Sequence, residues 1–150
     1  MKRIILPLTA GLFIACGRSD PLEPLDTLPH SAAVASCGPA DGPATYIYLA
    51  STPLELPQPV APYIQVFVPR RFSEATRSAS FVIGEDFNED ASAWFNFSGL
   101  EPSQAVSGDV GVTSLRNGRL KGFVDLVFPN GVHMRGSFDA SWSDMQTFCG

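Results

Sequence analysis

Histidine and cysteine are scarce in this chain. Its 150 residues hold two histidines, His30 and His133, and three cysteines, Cys16, Cys37 and Cys149. Zinc needs three or four His, Cys or acidic ligands, and no such cluster is present. A Ser-His-Asp site needs an imidazole oriented by a carboxylate and touching a hydroxyl. His30 falls in a proline-rich stretch, and the residues near His133 (Ser137, Asp139 and Ser141) are of a kind that decorates any solvated strand. No catalytic residue and no cofactor is therefore assigned. Basic residues are few as well, ten against fifteen acids, for a net charge of −5. Nucleic-acid surfaces show a basic patch or stripe, so nucleic acid is not expected as a partner. Helical amphipathic periodicity is also missing beyond the N-terminal stretch.

What is present is a repeat. Three segments align in steps of fourteen: Ser107–Val112, Lys121–Leu126 and Arg135–Ala140. The unit suits one strand plus one tight turn. The even positions Val106, Val110 and Val112, then Leu120, Val124, Leu126 and Phe128, then Val132, Met134, Phe138, Ala140 and Trp142, should share one core face, because side chains alternate with period two. Cross-strand partners lie on the same face, so even must pair with even, which requires loops of odd length. Three-residue loops meet this, Arg116-Asn117-Gly118 and Pro129-Asn130-Gly131, with glycine at the left-handed position. The resulting register puts Val110 opposite Val124, Leu126 opposite Met134, Gly122 opposite Phe138 and His133 opposite Val127. Outside, Asp125 meets Arg135 and Lys121 meets Asp139, while Asp109 meets Asp125 unfavourably. Phe123 and Val127 point outward and are expected to lie under a second layer of sheet.

The N-terminus carries Lys2 and Arg3, then the apolar stretch Ile4–Ala15, then Cys16. This reads as a secretory signal, too short to span a bilayer comfortably as a mature helix. Phe13-Ile14-Ala15-Cys16-Gly17 resembles the lipobox of bacterial lipoproteins, with Phe13 where that family usually has Leu. The resemblance covers the first seventeen residues. It implies removal of residues 1–15, acylation of Cys16, palmitate among the chains, and a membrane anchor. Gly17 after the cysteine implies sorting to the outer membrane of the envelope. The alternative is an ordinary secretory signal cleaved after Gly17. Losing Lys2 and Arg3 takes the net charge from −5 to −7. Residues 16–36 hold Pro21, Pro24 and Pro29 among acids and read as the lipidated Cys and a flexible tether, leaving 37–150 as one β-rich domain. With Cys16 used for lipid, Cys37 and Cys149 form an even remainder, expected as a disulfide in an exported chain.

Four further strands are expected, over 45–50, 63–68, 78–83 and 93–98, from their aromatic and β-branched content. Pro53, Pro57, Pro59 and Pro62 make the stretch between the first two a loop or protected edge. Arg70–Arg77 could add one turn of helix with Ser73 as N-cap. The fold class is all-β: a single antiparallel β-sandwich or flattened barrel of about seven strands, ending in the three-strand meander. The mature domain loosely resembles small β-rich bacterial lipoproteins that end in a glycine-rich meander, which implies no activity.

Two features could bind something. Asp86-x-Asn88-x-Asp90 repeats the opening of an EF-hand loop, but Ala91 stands where its glycine belongs and Phe97 where its bidentate glutamate belongs. These three are weak candidates for calcium in an otherwise solvated acidic loop over 84–90. Trp94 shares a face with Asn96 and Ser98 and is exposed if Ala93, Phe95 and Phe97 face the core; it could stack on a sugar or a partner. The leading expectation is an envelope-anchored, non-enzymatic β-domain of binding or structural role, with a protein or glycan of the envelope as partner. The alternative is a carbohydrate- or calcium-binding module that uses the 84–90 loop and Trp94.

Overall fold

The computed structural model describes residues 29–56, 59–86, 88–98, 100–144 and 149. Nine strands follow in order: β1 His30–Cys37, β2 Pro43–Ala50, β3 Tyr63–Val68, β4 Ala79–Val82, β5 Ser92–Asn96, β6 Ser103–Gln104, β7 Ser107–Arg116, β8 Arg119–Val127 and β9 His133–Asp144. They make one sheet, ordered β4-β7-β8-β9-β1-β2-β3-β5-β6. Every neighbouring pair is antiparallel except β1 with β9, which is parallel. The sheet curls into a half-barrel, and an isolated bridge between Ile83, just after β4, and Ala91, just before β5, links its two halves. There, the Ala91 amide donates to Val82 O at 2.9 Å and the Gly84 amide to Ala91 O at 3.0 Å.

The all-β class holds. The expected antiparallel sandwich or flattened barrel of about seven strands is corrected: the described residues form nine strands in a single mixed sheet, curled into a half-barrel. The two additional strands are β1 and β6. β1 is His-Ser-Ala-Ala-Val-Ala-Ser-Cys, and Ala32 to Ala35 are all buried, so no alternation marks it. Residues 30–36, expected as the end of the tether, are therefore strand. β6 is two residues long, below the length at which periodicity can be read. No helix forms over 70–77. Ser73 and Thr76 close a turn instead, with the Thr76 amide donating to Ser73 O at 2.8 Å and the Ser73 amide to Thr76 Oγ1 at 2.8 Å.

The meander has the expected register at Val110–Val124, Leu126–Met134, Gly122–Phe138, Lys121–Asp139 and Val127–His133. Its second loop is the expected three-residue one: Phe128 N donates to Val132 O around Pro129–Gly131, with Gly131 at φ 76°. Its first loop differs. Arg116 pairs with Arg119, so only Asn117 and Gly118 turn, both at positive φ (51° and 67°), as a two-residue hairpin of type I′ requires. The odd residue that keeps even opposite even sits within the strand, where the ladder skips Thr113 between Val112 and Ser114. This β-bulge flips the inward parity, and Leu115 rather than an even residue enters the core beyond it. Val106 and Val132, expected on the core face, are 65% and 37% exposed, because each lies just before its strand, β7 or β9.

The concave side of the sheet is filled. Ala33, Ile47, Leu49, Ile64, Val66 and Val68 from one half meet Val110, Val112, Leu120, Val124, Leu126 and Phe138 from the other in one buried cluster. Phe72, from the β3–β4 connection, packs edge-on against Phe81 at one end, with ring centroids 6.4 Å apart. At the other end Phe95 sits 4.1 Å from Phe97 and 6.2 Å from Phe128. Cys37 and Cys149 are bonded, Cα atoms 5.5 Å apart, across a separation of 112 residues.

Candidate functional site

With its concave side packed, the sheet has its convex face and its loops left for function. On β5, Ala93 points inward and is fully buried, which turns Trp94 outward and leaves it half-buried. Trp94 lies between Gln65 on β3 and Gln104 on β6, and Gln65 lies opposite Tyr48 on β2, itself opposite Ala32. Tyr48, Gln65, Trp94 and Gln104 thus form one row across four strands, spanning roughly 14 Å at the usual strand spacing. Tyr63 packs beside Tyr48 with centroids 6.0 Å apart. No member of this row carries a formal charge. Burial raises the Tyr48 phenol above its ordinary value, helped by Tyr63 and Tyr46, and burial raises Tyr46 as well.

The 84–90 loop satisfies itself. The Asn88 amide donates to Asp86 Oδ1 at 2.9 Å, and the Asp86 amide to Asp90 Oδ2 at 3.2 Å. Asp86 O accepts from the amides of Glu89 at 3.0 Å and Asp90 at 2.6 Å. One oxygen of each aspartate that a calcium ion would claim is thus engaged in the turn. Among the described residues, no group of three or more His, Cys, Asp or Glu is placed to hold a metal ion. Asn88 borders a small cavity of about 170 Å³ with Phe67, Pro69 and the 38–44 turn. No hydrogen bond or ring contact among the described residues joins Trp94 to Asp86, Asn88 or Asp90, so the two candidate features remain separate.

The other half of the convex face is charged. Phe123, expected beneath a second layer, has no sheet over it and is 42% exposed. Its ring lies on Gly111 instead, where an added Cβ would come within 2.0 Å of it. An open groove of about 670 Å³ runs past Phe123, Thr113, Arg119, Lys121 and Asp139 toward Pro29 and Ser31. Asp139 accepts from Arg119 Nε at 2.9 Å and lies 3.3 Å from Lys121 Nζ. The Arg119 hydrogen bond, with Lys121 adding to it, holds the Asp139 carboxyl below the ordinary aspartate value. Asp125 is flanked by His133 Nε2 at 2.5 Å and Arg135 Nε at 3.6 Å, which offsets its placement opposite Asp109. Ser137 and Ser141 lie opposite Phe123 and Arg119. Four residues along a strand is about 13 Å, so His133 and Ser137 do not meet as a hydrolytic pair.

Cys16 and the 1–28 segment lie outside the described residues. The sequence flagged Trp94 but missed Tyr48, Gln65 and Gln104. Alternation alone puts Tyr48 and Gln65 off the core face of their strands. Placing them beside Trp94 needs the register of strands far apart in the chain, for which no short-range signal exists. No family model, curated protein or solved structure matches the chain. The functional reading therefore stands on side chains and their placement.

Proposed function

We propose that the chain is a bacterial envelope lipoprotein, anchored at the outer membrane through acyl chains on Cys16, whose β-domain binds or supports an envelope partner without catalysis. The observation that carries this reading is the distribution of sulfur. Three cysteines are present, and two are bonded to each other across 112 residues. Bonded cysteines are typical of exported chains. The third stands directly after a basic, then apolar, N-terminal stretch of the kind that lipoprotein processing uses. Acyl chains on that sulfur would hold the protein firmly, since two or more exceed the marginal binding of one. The test is the intact mass of protein isolated from membranes, with labelled palmitate as a second readout. Mature protein should begin at Cys16 and carry acyl chains. A mass that begins at Arg18 without lipid would show ordinary secretory cleavage instead.

A second reading is favoured by the convex row. Trp94 between Gln65 and Gln104, with Tyr48 beyond, offers a ring face beside amide donors and acceptors, the combination that suits the CH face and hydroxyls of a neutral sugar. Titration with soluble envelope glycan should quench Trp fluorescence in the native protein, and the change should be lost in Trp94→Ala. Calcium is the weaker form of this reading, because the loop's own amides occupy the aspartates. Calorimetry at millimolar Ca²⁺ should give no saturable heat that depends on Asp86.

A further inference from the structure

We propose that the end of the half-barrel where the N-terminal segment enters is a lipid-contacting rim, seated on the zwitterionic surface of the bilayer that holds Cys16; the proposal rests on the anchoring reading above. Strand register defines this end. β1 starts at His30, opposite Ala50 at the end of β2. Tyr63, the start of β3, lies opposite Asn96, the end of β5. β9 runs parallel to β1, so its start and the Pro129–Gly131 turn point the same way. The Val106 amide donates to Val127 O beside that turn, which brings the start of β7 to the same end.

Five of the seven exposed large hydrophobic residues among those described gather there: Val60 is 74% exposed, Leu100 69%, Val106 65%, Phe97 38% and Val132 37%, while Val82 on β4 and Phe123 on the convex face are 57% and 42% exposed. They come from four separate connections around the rim, and no single strand pattern would place them together. The opposite end exposes Asp41, Arg70, Arg71, Glu74, Arg77 and Arg116, and no large hydrophobic residue among those described. Exposed apolar side chains gathered at one pole mark a contact surface. The occupant follows from where the chain leads. Cys16 is thirteen residues before Pro29, a reach of at most about 45 Å, and it joins the barrel at this pole. Lipidation at Cys16 would bring this pole within reach of the acyl layer, and its exposed apolar side chains would then select it over the opposite one. Exposed Glu55 and Glu101 lie on the same connections, and exposed Glu85 lies beside Val106 and Pro129, which favours a zwitterionic over an anionic surface. The rim orients a domain that acyl chains retain; five side chains on loops and strand ends do not replace the anchor.

The test uses mature protein purified with its lipid and reconstituted in phosphatidylcholine vesicles. An environment-sensitive thiol label is attached at Leu100→Cys in one sample and Asn117→Cys, at the opposite pole, in another. Brominated acyl chains should quench the label at 100 several-fold more than the label at 117, and its emission should shift to the blue. Equal quenching, or none at either position, would overturn the proposal. So would a label at 100 that becomes shielded in lipid-free detergent solution as protein concentration rises, which would mean a second copy covers the rim. Intact mass reports separately on the anchor. If it shows no acyl chains, the anchoring reading fails and the rim is read on the unlipidated protein at high vesicle concentration. Selective quenching at 100 would then support a lipid-seeking rim alone, and its absence would end the proposal.

Discussion

At the scale of single residues, two glycines of the meander are there for different reasons. At Gly131, φ is 76° and an added Cβ would meet nothing within 4 Å. At Gly122, an added Cβ would lie 2.1 Å from the carbonyl oxygen of Gly111 and 2.5 Å from the Phe138 ring. Gly131→Val should therefore cost roughly 1 kcal/mol or more through backbone strain alone. Gly122→Val should cost more, about 1–3 kcal/mol, because a backbone carbonyl cannot swing aside. Urea denaturation would compare the two, and an unchanged midpoint for Gly122→Val would contradict the close approach of β7 and β8. Asp139 tests electrostatics. Its carboxyl is held below the ordinary value of 3.8, so its contribution is fully present above that pH. It is lost as pH falls through the depressed value. Asp139→Asn should thus be less stable than the native chain at neutral pH and equal to it in strong acid. The pair is exposed, so the gap should be small and should shrink in molar salt.

At the scale of elements, the β7–β8 hairpin reaches its parity in a way that alternation alone does not specify. Even-to-even pairing was legible in the sequence because the hydrophobic rows of three strands demand it. The position of the odd residue was not, since a three-residue loop and a two-residue loop with a bulge satisfy the same rows. Thr113 decides it: its Oγ1 donates to Lys121 O at 3.1 Å across the skipped step. Deleting Thr113 should therefore leave a regular ladder, with Val112 opposite Gly122, Ser114 opposite Lys121 and Leu115 opposite Leu120, and every core residue should stay in place. The melting temperature of the deleted chain should change little. A fall as large as the roughly 2–4 kcal/mol lost when a residue such as Leu115 leaves the core would place the irregularity elsewhere. The same limit explains the candidate site. Trp94 was visible because its own strand alternates. Its neighbours Gln65 and Gln104 come from partners that only the folded sheet defines. β1 stayed hidden because both its faces are buried and alanine and serine carry little strand signal.

At the scale of the whole molecule, stability depends on how the two ends of the chain are joined, and two separate devices join them. The first is the Cys37–Cys149 bond, which closes a loop of 112 residues. In the chain-entropy model such a loop contributes roughly 4–5 kcal/mol. Reduction, or Cys149→Ser, should lower the melting temperature markedly without changing the strand content seen by circular dichroism. The second is β1 itself. It pairs with β2 at eight positions and with β9 at four, and within the sheet order it joins β7-β8-β9 to β2-β3-β5. Two exported chains separate the devices, one covering 29–150 and one covering 37–150; both keep Cys37 and can form the bond. The longer should melt cooperatively. The shorter leaves β2 and β9 with open edges and uncovers Ile47 and Ala140, fully buried in the complete fold. It should melt broadly, bind a hydrophobic dye and aggregate even when oxidised. If instead the shorter chain melted as sharply and at the same temperature, the disulfide alone would be the clasp, and the folded domain would begin at Cys37 after all.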